Sequence, residues 1–214
     1  MKSIILCLKL FFLFSVILFA EFHAEVLSIG PTVKQRMIQG NAWRKGCPVS
    51  LHDLRYLRMT YKDFYGREET GEMVVHKDVA SEVTQIFEAL YNIGYPVHTM
   101  KLVSSYGGND WRSIEADNTS AFNCRKATGS KHWSKHSYGR AIDLNPIENP
   151  YISRSGHISH KASQPYRKRV HKTKIAADQA VLLKHDKAVQ IFKKYGWKWG
   201  GDWFGVKDYQ HFSK

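Results

Sequence analysis

A histidine and an aspartate lie close together in residues 134–146, whose sequence is SKHSYGRAIDLNP. His136 and Asp143 flank Gly139, so a chain reversal near the glycine would bring their side chains side by side. In a strand that follows the reversal, alternate side chains point to opposite faces, and Asp143 would face a cleft while Ile142 faces the core. This stretch predicts either a surface hairpin or two ligands of a metal site.

A metal site of the catalytic zinc type needs a third protein ligand, with one position left open. His157 and His160 lie in the polar stretch GHISH without an apolar frame, which is typical of exposed loop histidines. His211 lies among aromatic residues in DYQHF, near the end of a predicted core strand, and we favour it. The predicted metal ligands are therefore His136, Asp143 and His211.

The first half of the chain carries both strand and helix patterns. Residues 56–64 and 72–76 are rich in β-branched and aromatic residues around the turn-like GREETG, which predicts a hairpin. Apolar residues recur at helical spacing in residues 78–94, with Asp78 as the candidate N-cap and Gly94 as the stop. We expect this helix to pack its apolar stripe on a sheet.

The second half is also mixed. Residues 97–103 predict a strand, Asp186 is a candidate cap for a short helix that ends at Gly196, and residues 197–212 predict two short strands joined by a turn. Because helices and strands do not alternate regularly, the pattern predicts an α+β fold, a small antiparallel sheet with helices packed on it. The tryptophans expected in the core are Trp197, Trp199 and Trp203.

The N-terminus predicts export. Residues 1–20 join a lysine near the start to an apolar run without acidic residues, which is typical of a secretory signal peptide cleaved after Ala20 or Ala24. An uncleaved membrane anchor is the alternative, although Lys9 interrupts the apolar run. We expect a periplasmic or extracellular protein with no stable membrane insertion after cleavage, in which residues 25–214 form a single domain.

The chain is strongly basic, which favours anionic partners. Its formal net charge is +13, and removal of residues 1–20 leaves +11, from 30 basic and 19 acidic residues. Outside the cytoplasm, the available polyanions are wall polymers, acidic lipid head groups and peptide stems with carboxylates more often than nucleic acid. We therefore expect no nucleic acid partner.

Two cysteines remain after cleavage, Cys47 and Cys124. An even number of cysteines in an oxidising compartment favours a disulfide between them. Two buried free thiols are the alternative.

Two stretches of the chain resemble the signatures of a known superfamily. SKHSYGRAIDLNP and GWKWGGDWFGVKDYQHF are similar to those of the D-alanyl-D-alanine carboxypeptidase and L-alanyl-D-glutamate endopeptidase superfamily of zinc peptidases, which includes vancomycin-resistance carboxypeptidases and phage endolysins. The second signature ends in an acidic residue three positions before a histidine, as Asp208 and His211 do. The fixed places of the first signature are matched by Ser134, His136, Gly139, Ala141 and Asp143.

This resemblance implies roles for individual residues. It implies Zn²⁺ bound by His136, Asp143 and His211, with Asp208 as the general base. In an ideal strand Asp208 and His211 would face opposite sides, so we predict a turn or bulge between them.

The resemblance also implies an arginine upstream of the first signature that stabilises the charge developing on the substrate. Arg125 is the first candidate and Arg112 the second. Ser134 is expected to hydrogen bond near the substrate or to orient His136, and a structural hydroxyl is the alternative.

The activity implied by the resemblance is hydrolysis of the peptide stem of peptidoglycan by an exported, monomeric zinc metallopeptidase whose fold is related to the hedgehog-type domain. We favour a D-alanyl-D-alanine carboxypeptidase. The alternatives are an L-alanyl-D-glutamate endopeptidase of the same family and a non-catalytic zinc-containing binding domain. A basic nucleic-acid-binding module would predict no metal at all.

Overall fold

The computed structural model describes residues 21–214, and the predicted signal peptide, residues 1–20, lies outside the described residues. Helices and small sheets are mixed in the described part, as expected for an α+β fold. The α-helices there are α1 (Pro31–Gln39), α2 (Ala80–Asn92), α3 (Asp110–Glu115), α4 (Ala176–Gln179) and α5 (Lys187–Lys194). The strands there are β1 (Ala24–Ser28), β2 (Leu54–Lys62), β3 (Glu68–His76), β4 (Thr99–Met100), β5 (Asn118–Thr119), β6 (Ala141–Asp143), β7 (Tyr151–Ile152), β8 (Lys198–Trp199), β9 (Lys207–Asp208) and β10 (His211–Ser213).

Strands β1, β2 and β3 form an antiparallel sheet in that order. The predicted hairpin is present as β2 and β3, but its turn lies at residues 63–67 rather than at GREETG. Asp63 closes this turn, because its Oδ1 accepts hydrogen bonds from the backbone N–H groups of Tyr65 (2.8 Å) and Arg67 (2.9 Å). The residues after the turn are therefore free to pair as β3.

Helix α2 packs against this sheet through its apolar stripe. The buried side chains of the stripe include Val83, Ile86, Phe87 and Leu90, which share a core with Leu57 of β2. The helix starts later than predicted, because residues 77–79 form a 3₁₀ turn and the Asp78 carboxylate pairs with Arg140 (2.5 Å) instead of capping the helix. The chain leaves the helix at Gly94, which has φ +70°.

Strands β6, β10 and β8 form a second antiparallel sheet with β10 in the centre. Helix α5 covers one side of it, where Phe192 stacks on Phe212 with ring centroids 3.9 Å apart. The helix begins after Asp186 as predicted, but the carboxylate of Asp186 bonds to the backbone N–H of Leu183 (2.7 Å) and does not cap the helix. Packing of the apolar stripe, more than capping, therefore holds α5 in place.

Two other predictions are only partly correct. Of residues 97–103, only β4 is a strand, and it pairs with β5 in parallel, so the sheets are not all antiparallel. Residues 197–212 contain β8, β9 and the start of β10 instead of two strands, because a turn at residues 209–210 separates β9 from β10.

A disulfide joins Cys47 to Cys124, with the two Cα atoms 5.8 Å apart. It ties the segment before β2 to the segment that leads towards residue 134, next to a small apolar cluster around Met37 and Phe122. Within residues 21–214, each helix is too short or too polar to cross a bilayer.

Candidate metal centre

His136 lies in a 3₁₀ turn, residues 135–138, that ends at Gly139 with φ +65°. This left-handed conformation favours glycine and reverses the chain towards β6, as predicted. The Nδ1 atom of His136 lies 2.6 Å from the carbonyl oxygen of Ala121, to which it can only donate. Nε2 therefore keeps its lone pair and points towards the rest of the site.

Asp143 and His211 face each other across the pair of strands β6 and β10. The register places Asp143 directly opposite His211, so their side chains lie on the same face of the sheet. On the other side of β6, the backbone of Asp143 forms two hydrogen bonds with that of Ser120, of 2.8 and 2.9 Å. The position of the carboxylate is therefore fixed from both sides.

The three side chains converge on one point. Nε2 of His136 lies 3.3 Å from Nδ1 of His211, Oδ2 of Asp143 lies 3.2 Å from the first nitrogen, and Oδ1 of Asp143 lies 3.1 Å from the second. All three residues are buried, at 4 to 8% exposure. Buried lone pairs that meet in this way repel one another unless a proton or a metal ion lies between them.

The electrostatics of the cluster fit this arrangement. Burial disfavours a charged His136, but the charge and hydrogen bond of Asp143 outweigh it and raise the pKa of His136. Burial also opposes ionisation of Asp143, yet the two imidazoles lower the pKa of this carboxyl. The carboxylate is therefore ionised and available as a ligand.

The donor set fits a tetrahedral divalent ion. With bonds of roughly 2.0–2.1 Å to nitrogen or oxygen, the ligands of tetrahedral zinc lie roughly 3.3–3.4 Å apart. The two imidazole nitrogens are 3.3 Å apart, which agrees with this spacing. The hydrogen bond from His136 to a backbone carbonyl is of the kind that orients metal-binding imidazoles. Among the described residues, this is the one group of three or more His, Cys, Asp or Glu side chains whose atoms could hold an ion.

Asp208 lies at the end of β9, beside this cluster. A turn at residues 209–210 separates Asp208 from His211, as predicted from the sequence, and both side chains line the same cavity. Its Oδ1 atom is buried and has no hydrogen-bond partner among residues 21–214. Burial and the nearby charge of Asp143 raise the pKa of Asp208 to about 7, although His211 and His136 oppose the shift.

Arg125 lines the same cavity, whereas Arg112 is exposed and does not. The guanidinium of Arg125 is held by Asp110, with Nη2 and Oδ2 2.6 Å apart. Its Nε atom is buried and lacks a partner in the described part of the chain. The backbone N–H of Arg125 donates to the hydroxyl of Ser137 (2.9 Å), which fastens it to the turn that carries His136.

Ser134 precedes the His136 turn and caps it. Its Oγ accepts a hydrogen bond from the backbone N–H of His136 (3.3 Å). The side chain also lines the cavity in front of the cluster. A single hydroxyl is thus placed to orient His136 and to meet a ligand.

The cavity in front of the cluster has a volume of about 550 Å³, and we call it the central cavity. A second cavity of about 330 Å³, which we call the distal cavity, adjoins it. Arg125, Asp208 and Gln210 line both. Together they form a cleft that runs beyond the metal ligands.

The predictions for the aromatic and histidine residues near the site are only partly confirmed. Trp197 and Trp199 are in the core as expected, but Trp203 is 37% exposed, lines the central cavity and lies 5.4 Å from the ring of His211. His157 is exposed as predicted, and neither it nor His160 joins the metal ligands. The prediction of an exposed His160 is wrong, because its ring stacks on Trp111 and its side chain is only 12% exposed.

Sequence reasoning also missed Asp110, Ser137 and Gln210. Asp110 and Ser137 act on Arg125 through contacts between segments 12 or more residues apart. Such contacts leave no local pattern. Gln210 was detectable only as the neighbour of His211 in the second signature.

Comparison with known proteins points to one family. A family model described as D-alanyl-D-alanine carboxypeptidase matches residues 128–214, which is less than half of the chain. The match includes His136, Asp143, Asp208 and His211 and excludes Arg125. Searches of curated proteins and of solved structures gave no match.

Proposed function

We propose that this protein is an exported zinc metallopeptidase that hydrolyses the peptide stem of peptidoglycan, because residues 128–214 match a family model described as D-alanyl-D-alanine carboxypeptidase. The observation that carries the proposal is the convergence of two imidazole nitrogens and a carboxylate at 3.1 to 3.3 Å, with a carboxyl beside them. Residues 25–214 are proposed to form one catalytic domain, with a fold related to the hedgehog-type domain.

His136, Asp143 and His211 hold the zinc ion in this proposal. When bound, zinc polarises the carbonyl of the scissile bond and lowers the pKa of a water molecule to about 7. The chain supplies the ligands from a turn and two paired strands.

Asp208 is the proposed general base and acid. Its buried carboxyl, with a pKa raised to about 7, accepts a proton from the attacking water and returns it to the leaving amine. Its unpartnered Oδ1 is available for this transfer.

Arg125 is proposed to stabilise the negative charge that develops on the substrate carbonyl oxygen. Asp110 holds one end of the guanidinium, and the unpartnered Nε remains free to donate. Ser134 positions His136 and offers its hydroxyl to the substrate at the edge of the central cavity.

The most specific form of the proposal is a D-alanyl-D-alanine carboxypeptidase, which agrees with the description of the matched family model. An L-alanyl-D-glutamate endopeptidase is the alternative within the family. A non-catalytic zinc domain accounts less well for a buried carboxyl retained beside a full set of ligands. The apolar leader, the disulfide and the net charge of +13 support action outside the cytoplasm on anionic wall material.

The proposal is tested by comparing wild type with Asp208→Ala on a purified pentapeptide stem, with zinc content measured for both. Loss of the general base should lower kcat/KM by about 10²- to 10⁴-fold while zinc is retained. Asp202→Ala, which removes a half-exposed carboxylate outside both cavities, serves as the control and should keep full activity. Mass spectrometry of the products identifies the bond that is cut, and an unimpaired Asp208→Ala variant would contradict the mechanism.

A further inference from the structure

The distal cavity extends the cleft on the far side of Asp208 and Gln210. Its volume of about 330 Å³ lies at the lower end of the range of roughly 300–1,000 Å³ typical of ligand pockets. Because the two cavities share Arg125, Asp208 and Gln210 as lining residues, a peptide bound at the metal centre can place one of its neighbouring residues here.

Apolar and aromatic side chains form most of its wall. Trp111 is 48% exposed and stacks on His160 with ring centroids 3.8 Å apart, and Tyr151 is 46% exposed on the same cavity. Ile114 and Ile158 complete the apolar surface. Such a wall packs against an aliphatic chain, and the exposed indole face attracts a cation.

The wall carries two carboxyl groups, those of Asp110 and Asp208, against one guanidinium group, that of Arg125. The hydroxyl oxygen of Ser163 and Oε1 of Gln210 are buried without partners among residues 21–214, and both residues line the cavity. Asp110 adds a carboxylate, which pairs with Arg125 and neutralises its charge. Apart from histidine, Arg125 is the one cationic side chain among the described residues that line this cavity. In a strongly basic protein, this cavity therefore lacks excess positive charge and calls for a ligand that donates hydrogen bonds.

We propose that the distal cavity is a subsite for an aliphatic side chain that ends in an amino group, such as the lysine or diaminopimelate residue of a stem peptide. The methylene groups lie against the isoleucines and Trp111, while the ammonium group reaches the acceptors of Ser163, Gln210 and Asp110. This inference rests on the proposed function, and it makes a stem that contains the diamino acid a better substrate than a free D-alanyl-D-alanine dipeptide.

The test uses a peptide that neither proposed activity can cut, γ-D-Glu-L-Lys-D-Ala, with its lysine amino group either free or acetylated. Binding to the full protein is measured by calorimetry. The free amine should bind about tenfold more tightly, since acetylation removes the charge and two donors. Equal or tighter binding of the acetylated peptide would overturn the subsite.

Variants locate the effect. Trp111→Leu keeps an apolar side chain but removes the aromatic face, and Ser163→Ala removes one buried acceptor, so each should reduce the preference for the free amine. Tyr65→Leu alters a more exposed aromatic residue on the β2–β3 turn, outside both cavities, and should leave the preference unchanged. A preference that survives both cavity variants would also overturn the subsite.

Failure of the proposed function gives a different result. If the pentapeptide is not hydrolysed while the free amine still binds more tightly, the subsite stands and the peptidase mechanism fails. If the pentapeptide is hydrolysed but acetylation has no effect on binding, the mechanism stands and the subsite fails.

Discussion

Two carboxyl groups, those of Asp117 and Glu148, lie side by side in the interior at 5% and 4% exposure. Asp117 precedes β5, and Glu148 lies in the loop that follows the ligand strand β6. Burial and then the neighbouring Asp117 raise the pKa of Glu148 to about 10, and burial raises the pKa of Asp117 as well. The pair therefore retains a proton at neutral pH.

This pair predicts a loss of stability as pH rises. Above the unfolded pKa of Glu148, near 4.5, the unfolded chain releases a proton that the folded chain keeps, so the free energy of unfolding falls until about pH 10. Glu148→Gln keeps the shape without the proton and should flatten this decline, as measured by thermal unfolding at about pH 5.5 and 8.5. Exposed Glu88→Gln is the control. A decline of the same size in Glu148→Gln and wild type would contradict the assignment.

At the residue scale, the sequence predicted side chains whose chemistry is rare and specific. His136, Asp143, His211 and Asp208 fit a spaced pattern, and the structure brings them to one cavity. The carboxyl pair was not predicted, because nothing in the local sequence of Glu148 distinguishes a buried acid from an exposed one. Burial depends on which segments fold over a residue, which periodicity does not encode.

Among the structural elements, the turn that carries His136 depends on one glycine. Gly139 has φ +65°, and a Cβ atom there would lie 2.5 Å from the backbone nitrogen of His76. The backbone N–H of His76 also donates a hydrogen bond to the carbonyl oxygen of Gly139 (2.9 Å). The turn is therefore pressed against the end of β3.

Gly139→Ala should destabilise the protein and weaken zinc binding. The left-handed backbone costs roughly 1–2 kcal/mol for alanine, and the clash with β3 adds roughly 1–3 kcal/mol. Gly129→Ala is a matched control, since Gly129 has φ +69° but no atom within 4 Å of its Cβ position. Urea unfolding and zinc titration should show a larger loss for Gly139→Ala. Equal losses would mean that the clash is relieved and the turn does not depend on it.

At the scale of elements, long periodic segments were predictable and short ones were not. Helix α2 and the hairpin β2–β3 follow from sustained patterns, although their ends were misplaced by turn contacts of Asp63 and Asp78. The short strands β4 and β9 depend on partners distant in sequence. In the basic segment 160–174, the partly buried Arg169 likewise bonds to a residue distant in sequence, the carbonyl oxygen of Glu148 (2.5 Å).

For the whole molecule, the metal centre links parts of the chain that are far apart in sequence. His136 and His211 are 75 positions apart, and strand pairing between β6 and β10 brings them together. The unfolded chain does not keep this arrangement, so an ion that binds the folded site should stabilise the whole fold.

Zinc should therefore raise the unfolding temperature. At a free concentration 100 times Kd, a bound ion contributes about 2.7 kcal/mol, which corresponds to roughly 5–10 °C for a domain of this size. His136→Ala should abolish the shift because it removes a ligand, whereas His157→Ala should keep it because that imidazole is exposed in a loop away from the cluster. Thermal unfolding with zinc and with a chelator measures both. A shift that persists in His136→Ala and disappears in His157→Ala would move the metal site to the loop that contains His157 and remove the basis for the proposed chemistry.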